Sequence, residues 1–266
     1  MTRDLKAPGS DVATAFASAS LPLLEISGLH CLRGVGAKAY RVELPRLTLR
    51  RGEVLALTGA SGSGKSTLLE VLGLVAAPLP GARFTWLGGN GPVDLAALWR
   101  RDAQRSLARL RAAGIGFVMQ TGGLLPFLTV RENLGINRRL IGLPEDGDDL
   151  RHLIERLEIG PLLDAHPRRL SVGQQQRASI GRALAHAPTL LLADEPTSAL
   201  DPRLAGRVLT LLLDLAAELG TAVVIATHEH ERVHALGLHR LDARLMGADG
   251  DNSGAAIGAR FEAAST

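Results

Sequence analysis

A glycine-rich segment from Gly59 to Ser66, with the sequence GASGSGKS, has the residue types and spacing that can hold a phosphate chain. It directly follows the apolar run Val54 to Thr58 and precedes a helical pattern that begins at Thr67. In such a strand–loop–helix context, backbone N–H groups surround phosphate oxygens and the helix N-terminus adds partial positive charge. We therefore expect the following residues to bind a nucleoside triphosphate: Gly59, Ala60, Ser61, Gly62, Ser63, Gly64, Lys65, Ser66 and Thr67.

Two side chains of this P-loop have distinct predicted roles. Lys65 should reach the β- and γ-phosphates, and the hydroxyl of Ser66 should coordinate Mg²⁺. A chance Gly/Ser loop is the alternative, but the strand before it and the helix after it argue against that interpretation.

A pair of carboxylates ends an apolar run further along the chain. The run Leu190 to Ala193 leads into Asp194 and Glu195. In α/β sheets, ligands bind at the carboxyl ends of strands, so these acids should lie beside the P-loop. Asp194 is suited to hold Mg²⁺, directly or through water, and Glu195 to polarise the water that attacks the γ-phosphate. The alternative is an ordinary turn with solvated acids.

The elements that must position these residues follow an alternating pattern. Short apolar runs alternate with helical patterns, which predicts an α/β domain with a largely parallel sheet. Small polar residues at 1–21 and Gly, Ala and Ser at 247–266 predict poorly ordered tails, which leaves 22–246 as the domain. The clearest predicted buried strands are Val54 to Leu57, Gly116 to Met119, Leu190 to Ala193 and Ala222 to Ala226.

Composition narrows the classes of protein. The 266 residues are 46% apolar, which is typical of a globular domain. The net charge of +3 comes from scattered residues without a long basic run, so we expect no nucleic acid as a partner. Cys31 is the only cysteine and cannot form an internal disulfide, which fits a reducing compartment. No run reaches the ~20 apolar residues of a membrane-spanning helix, and the first twenty residues lack the apolar core of a secretory signal.

Further segments resemble the motifs of the ABC ATPases. The segment Leu170 to Arg177, with the sequence LSVGQQQR, resembles the LSGGQ signature of that family, and Ser198 to Asp201 stands where its D-loop does. Gln120 and His228 each follow an apolar strand and resemble the Q-loop glutamine and the switch histidine. All these motifs occur in the family's order, and the resemblance covers residues 23 to 245.

The resemblance implies a fold and a reaction. The fold is a P-loop NTPase (RecA-like) core with a mainly parallel sheet, an antiparallel β subdomain and a helical subdomain near 121–170. The reaction is hydrolysis of ATP with Mg²⁺, in which Lys65 and Glu195 act with Gln120, which senses Mg²⁺ or the attacking water, and His228, which contacts the γ-phosphate.

The resemblance also implies a second copy of the chain as a partner. Ser171, Gly173 and Gln174 begin a predicted helix, whose N-terminus can face an anion. In ABC cassettes this helix end, together with the D-loop residue corresponding to Asp201, meets the ATP held by the opposite subunit. A head-to-tail dimer with two ATP molecules at its interface is therefore expected.

Some positions depart from the family pattern, and Ser198–Ala199, where many relatives have Ser-Gly or Gly-Asn, is a mild case. Val172 replaces the first glycine of the signature pair, which removes some freedom for backbone approach. The aromatic residue that stacks on adenine in relatives would fall on Gly34 when aligned through Cys31 to Arg33. Tyr40 is the alternative platform for adenine, or else an ordinary residue of the sheet.

Two further blocks, Arg105 to Gln120 and Leu124 to Leu134, resemble one branch of the family. They are similar to cassettes of bacterial lipoprotein-releasing and macrolide-efflux systems and their cell-division relative. This implies a transmembrane permease that docks near Gln120 to Leu134, and a place in the cytoplasm on the inner face of the membrane. The apolar side chains after Gln120 could be docking surface or subdomain core: Leu124, Leu125, Phe127 and Leu128.

Two other functions stay open at this point. A cassette with a structural or signalling role in a division or sensor complex would carry the same motifs. A soluble ABC ATPase acting on nucleic acid is the second alternative, although such proteins carry a long coiled-coil insertion where this chain has only the segment between Gln120 and Leu170.

Overall fold

The computed structural model describes residues 21–34, 39–89, 91–120, 123–247 and 258–264. The strands are β1 (Pro22–Arg33), β2 (Tyr40–Arg50), β3 (Val54–Thr58), β4 (Arg83–Trp86), β5 (Val93–Asp94), β6 (Ile115–Val118), β7 (Leu190–Asp194), β8 (Ala222–Thr227), β9 (His239–Met246) and β10 (Gly258–Ala263). The helices are α1 (Lys65–Leu72), α2 (Leu95–Arg100), α3 (Gln104–Gly114), α4 (Val130–Leu140), α5 (Asp148–Arg156), α6 (Val172–Leu184), α7 (Pro202–Glu218) and α8 (His230–Ala235).

The strands form one sheet in the order β5-β4-β1-β2-β10-β9-β3-β8-β7-β6. From β9 to β6 the neighbours are parallel, whereas β1, β2, β4 and β5 pair in antiparallel fashion. The predicted α/β fold class, with a mainly parallel core and an antiparallel region, is confirmed.

Helices cover both faces of the parallel strands, which explains their continuous apolar runs. Along β8, Ala222, Val224 and Ala226 belong to one apolar cluster, and Val223 and Ile225 belong to another. The first cluster includes the leucines of α1, and the second includes apolar residues of α4, α5, α6 and α7. Because successive side chains of a strand point to opposite faces, a strand buried on both sides has no polar alternation.

The C-terminal segment corrects one prediction. Residues 258–263 were expected to belong to a flexible tail, but they form β10, which pairs with β9 in antiparallel and with β2 in parallel fashion. Ala259 and Phe261 are buried there. The pairing joins the antiparallel strands to the parallel core, and it depends on β2, which is distant in sequence, as well as on the preceding strand β9. The predicted tail at 1–20, and residues 248–257 and 265–266, lie outside the described residues.

The segment between the Q-loop and the signature is helical. Thr129 caps α4 in a reciprocal arrangement with Glu132. Of the apolar residues with an open role, Leu124 is buried with the second cluster, whereas Phe127 is 71% exposed. None of the helices that the structure describes is both long enough and apolar enough to cross a membrane.

Candidate functional site

The sheet itself brings the predicted site residues together. The strands β3, β8, β7 and β6 are parallel neighbours, so their carboxyl ends meet at one edge. The P-loop follows β3, His228 follows β8, Asp194 ends β7 and Gln120 follows β6 by two residues. A cleft of about 600 Å³ opens at this edge, and its lining includes Tyr40, Ser61, Gly62, Gly64, Lys65, Ser66, Thr67, Gln120, Asp194 and Glu195.

Lys65 points back into the P-loop. Its ammonium donates hydrogen bonds to the carbonyl oxygens of Gly59 at 2.8 Å and Ala60 at 3.0 Å. The residue is only 5% exposed, and burial lowers the pKa of its ammonium, while the carboxylates of Glu195 and Asp194 oppose that shift. The cation is therefore held at the base of the cleft, where the phosphates of a nucleotide would lie.

Asp194 and Ser66 form the candidate metal site. Burial raises the pKa of the Asp194 carboxyl, and a hydrogen bond from Ser66 together with the charge of Lys65 opposes that rise. No cluster of three or more His, Cys, Asp and Glu side chains occurs among the described residues. A single carboxylate with a neighbouring hydroxyl fits Mg²⁺, since that ion is commonly bound by one or two carboxylates, water and the phosphates of the substrate.

Glu195 and His228 contact each other across the β7 and β8 ends. The Nδ1 atom of His228 lies 3.0 Å from Oε1 of Glu195, whose side chain is 16% exposed. The backbone of Glu195 has a φ of 44°, and its N–H donates to the carbonyl oxygen of Ala226 at 2.9 Å. A left-handed backbone at a glutamate is strained, and such strain concentrates at functional sites.

Tyr40 and Gly64 show how closely the antiparallel strands approach the P-loop. Gly64 has a φ of 89°, and a Cβ atom there would lie 2.5 Å from Val42 and 3.3 Å from Cε1 of Tyr40. Only glycine fits both this conformation and this approach. The hydroxyl of Tyr40 is buried without a hydrogen-bond partner among the described residues, and burial raises the pKa of that hydroxyl. Gly34 also lines the cleft.

The signature residues lie on another part of the surface. Ser171 caps α6 and exchanges two hydrogen bonds with Gln174. The backbone N–H of Gln174 donates to the hydroxyl oxygen of Ser171, and the backbone N–H of Ser171 donates to the side-chain oxygen of Gln174. A Cβ at Gly173 would lie 2.8 Å from Leu204 of α7, and Asp201 caps that same helix. In the described part of the chain, the signature residues and Asp201 do not line the cleft. Val172, which is 55% exposed, does not line it either.

Sequence reasoning missed two residues of the cleft region. Arg33, the last residue of β1, lines the cleft, and its guanidinium bonds to Glu70 of α1 at 3.0 Å. The helical spacing of Thr67 and Glu70, three residues apart, could have indicated that Glu70 shares a face with the end of the P-loop. No local signal indicates that Arg33 reaches that face.

Comparison with known proteins agrees with this geometry. The family model described as ABC transporter matches residues 43–198. The lipoprotein-releasing system ATP-binding protein LolD of Alcanivorax borkumensis is 38% identical over 205 residues, which cover 76% of this chain and 82% of that protein. LolD of Aquifex aeolicus is 39% identical over 208 residues, 77% of this chain and 84% of that protein.

A longer relative and two solved structures extend the comparison. The macrolide export ATP-binding/permease protein MacB 1 of Aeromonas hydrophila is 41% identical over 213 residues, but the matched part is only 31% of its length. The dimeric structure of the ABC transporter cassette MJ0796 superposes with a TM-score of 0.69 at 28% identity, covering 83% of this chain and 94% of that one. A second structure of MJ0796, in a post-hydrolysis state bound to ADP and Pi, superposes equally well, with a TM-score of 0.69.

The resemblance first seen in the motifs is thus confirmed by identity over most of the chain and by the fold. The chain belongs to the ABC transporter family, as one of its ATP-binding and ATP-hydrolysing cassettes.

Proposed function

We propose that this cassette hydrolyses ATP with Mg²⁺ at the interface of a head-to-tail dimer and thereby drives a membrane permease of the lipoprotein-releasing or macrolide-export kind. The observation that carries the proposal is the separation of two sets of residues on one chain. The cleft at the strand ends is lined by residues of the P-loop, by a carboxylate pair and by Gln120, and His228 contacts Glu195 of that pair. The capped start of α6 lies outside the cleft.

The cleft residues divide the work of hydrolysis. Lys65 and the backbone N–H groups of the P-loop bind the β- and γ-phosphates, and Ser66 with Asp194 and Gln120 would hold Mg²⁺, which neutralises phosphate charge. Glu195 accepts a proton from the attacking water, in the orientation that its contact with His228 fixes. His228 also stabilises charge on the γ-phosphate in the transition state.

A second copy supplies the other half of the site. The N-terminus of α6 carries partial positive charge, which suits a phosphate. Because Ser171 and Gly173 do not line their own chain's cleft, the nucleotide they meet is held by the partner. The close contact of Gly173 with Leu204 sets the signature beside the start of α7, so Asp201 approaches the same interface. ATP then joins the two copies, and hydrolysis loosens them.

The partner of this dimer is a transmembrane permease. The LolD relatives, of which the chain covers more than four-fifths, are named for lipoprotein release, and the MacB relative carries a permease in the same chain. We place the cassette on the cytoplasmic face of the membrane, attached through that permease. Phe127, exposed beside the start of α4, is the apolar side chain best placed to dock it.

Affinity purification from a membrane fraction tests this function. Tagged cassette should recover a protein with several membrane-spanning helices, and the Phe127→Ala variant should recover several-fold less. Leu140→Ala is the matched control, because Leu140 is 69% exposed at the far end of α4 and should recover the same amount as the wild type. Recovery of nucleic acid without a membrane protein would contradict the proposal.

A further inference from the structure

The cleft has more room than the phosphates need. The P-loop fixes the phosphate chain at the base of the cleft, beside Lys65 and Asp194. Apart from Gln120, which lies with the carboxylates at the strand ends, the remaining described lining comprises Arg33 and Gly34 at the end of β1 and Tyr40 at the start of β2. The sugar and base of a nucleotide held by the P-loop must therefore lie toward the β1 and β2 ends.

Arg33 is the exposed side chain at this end, and it is held in place. Its NH1 group donates to both carboxylate oxygens of Glu70, at 3.0 and 3.1 Å, and lies 3.4 Å from Oγ1 of Thr67. Thr67 and Glu70 belong to the first turns of α1, so the guanidinium lies over the helix that continues the P-loop. The side chain of Arg33 is 60% exposed, which leaves a planar cation open to the cleft.

Tyr40 is less free to serve as the base platform. Its ring packs beside the backbone of Gly64 and against the first apolar cluster, and its hydroxyl is buried. Arg33 of β1 and Tyr40 of β2 are directly opposite each other in the antiparallel pair, so their side chains lie next to each other on the same face of the sheet. Tyr40 thus lines the cleft beside Arg33, with its ring packed into the fold.

We propose that the guanidinium of Arg33, pinned by Glu70 and Thr67, is the surface on which the nucleobase of the bound nucleotide stacks. The inference rests on the phosphate site of the proposed function and extends it to the base. Arginine suits the task because its guanidinium is planar and delocalised and stacks on aromatic faces, and protein–nucleic acid complexes use arginine planes in this way.

The mode of recognition has a consequence for specificity. Stacking needs only a π-face, which every base has, and it reads no hydrogen-bonding edge. The cassette should therefore bind ATP and GTP with affinities that differ only a few-fold.

Binding measurements by calorimetry with two probes test the role of Arg33. Arg33→Ala should weaken ATP binding about tenfold and leave the binding of inorganic triphosphate unchanged, because only the base contact is removed. Arg33→Tyr should restore ATP binding to within about twofold by replacing one planar surface with another, whereas Arg33→Lys keeps the charge and should not restore it. Arg100→Ala is the matched control, since Arg100 is 57% exposed and pairs with Asp94 away from the cleft.

The results for Arg33→Ala and Lys65→Ala together distinguish a wrong role for Arg33 from a wrong phosphate site. Equal weakening of ATP and triphosphate by Arg33→Ala, with rescue by Arg33→Lys, would make Arg33 a phosphate ligand and overturn the proposal. If ATP affinity is unchanged in Arg33→Ala while Lys65→Ala still abolishes binding, the base-stacking role of Arg33 is wrong but the phosphate site stands. Unchanged affinity in Lys65→Ala instead overturns the phosphate site itself.

Glu70 enters as a positioning residue, which a double-mutant cycle measures. Glu70→Gln should weaken ATP binding in the wild-type background and have no further effect in Arg33→Ala, because its action passes through the guanidinium. Additive effects of the two changes would overturn the positioning role.

Discussion

Nδ1 of His228 lies 3.0 Å from Oε1 of Glu195, and this contact joins the ends of two neighbouring parallel strands. The imidazole is 55% exposed and the carboxylate 16%, so the histidine is the outer member of the pair and the glutamate the inner one. The backbone of Glu195 is left-handed here, with a φ of 44°, and such strain concentrates at functional sites. We propose that the two residues act as one unit, in which the histidine orients the carboxylate that lines the cleft.

Replacing Glu195 with Gln should lower turnover at least about a hundredfold, because the amide cannot accept a proton from water. ATP binding should persist, since the P-loop is unchanged, and the ATP-bound dimer should accumulate. Phosphate release gives the turnover, and size-exclusion chromatography with ATP gives the dimer. Unchanged turnover in this variant would remove Glu195 from the role of base.

Replacing His228 with Ala tests whether His228 and Glu195 act together in hydrolysis. The single change should lower turnover strongly, and the double variant with Glu195→Gln should be little worse than Glu195→Gln alone, because residues that act together show non-additive effects. Steady-state ATPase rates of the four proteins measure this. If the two losses multiply, the histidine acts independently of the glutamate.

Replacing Lys65 with Ala should abolish detectable ATP binding while the fold remains. The ammonium is the buried cation at the base of the cleft, and it faces Asp194 and Glu195, so its loss leaves negative charge where phosphates must bind. Calorimetric titration with ATP measures the affinity, and circular dichroism checks the fold. Normal affinity in this variant would contradict the assigned phosphate site.

Sequence alone predicts much of this site because its chemistry is tied to local pattern. The run Leu190 to Ala193 is apolar on both faces, which predicts a buried strand, and Asp194 and Glu195 follow at its end. The sequence therefore indicates both the strand and the place of the two carboxylates. Strand β10 has no such signal in the sequence, because Gly258–Ala263 is short and gains its partners from β2 and β9. Arg33 is likewise unpredictable, since its importance comes from contact with Glu70 on a helix distant in sequence.

Two glycines of the P-loop should respond differently to alanine. Gly64→Ala should destabilise the fold by about 1–3 kcal/mol beyond backbone strain, because the new methyl group would lie 2.5 Å from Val42. Gly62 also has a positive φ, of 78°, but a Cβ there meets nothing within 4 Å, which makes Gly62→Ala the control for strain alone. Urea unfolding of both variants measures the difference. Equal losses of stability would show that the P-loop does not pack tightly on β2.

Arg138 is 1% exposed and ties the helical segment between the Q-loop and the signature to helix α6. Its guanidinium donates to the carbonyl oxygens of Pro144 and Ala185, both at 2.6 Å, and to both oxygens of the Asp149 carboxylate. Arg138→Ala should lower the free energy of unfolding by about 2 kcal/mol or more, because two carbonyl groups lose their partner.

Asp149 gives the same network a pH dependence. The hydrogen bond from Arg138 lowers the pKa of the Asp149 carboxyl below its ordinary value of 3.8, so the unfolded chain takes up this proton at a higher pH than the folded one. The stabilisation from the pair is therefore complete above pH 3.8 and is lost as the pH falls through the lower, folded value. Asp149→Asn should thus be less stable than the wild type at pH 7, and the difference should shrink as the pH falls below about 4.

Urea unfolding at several pH values tests this sign. Asp148→Asn is the matched control, because Asp148 is 93% exposed and pairs with Arg151 at the surface, where an ion pair contributes little. Its stability relative to the wild type should change little over the same range of pH. A difference between Asp149→Asn and the wild type that stays constant down to pH 3 would mean that Arg138 stabilises the fold through its carbonyl contacts alone.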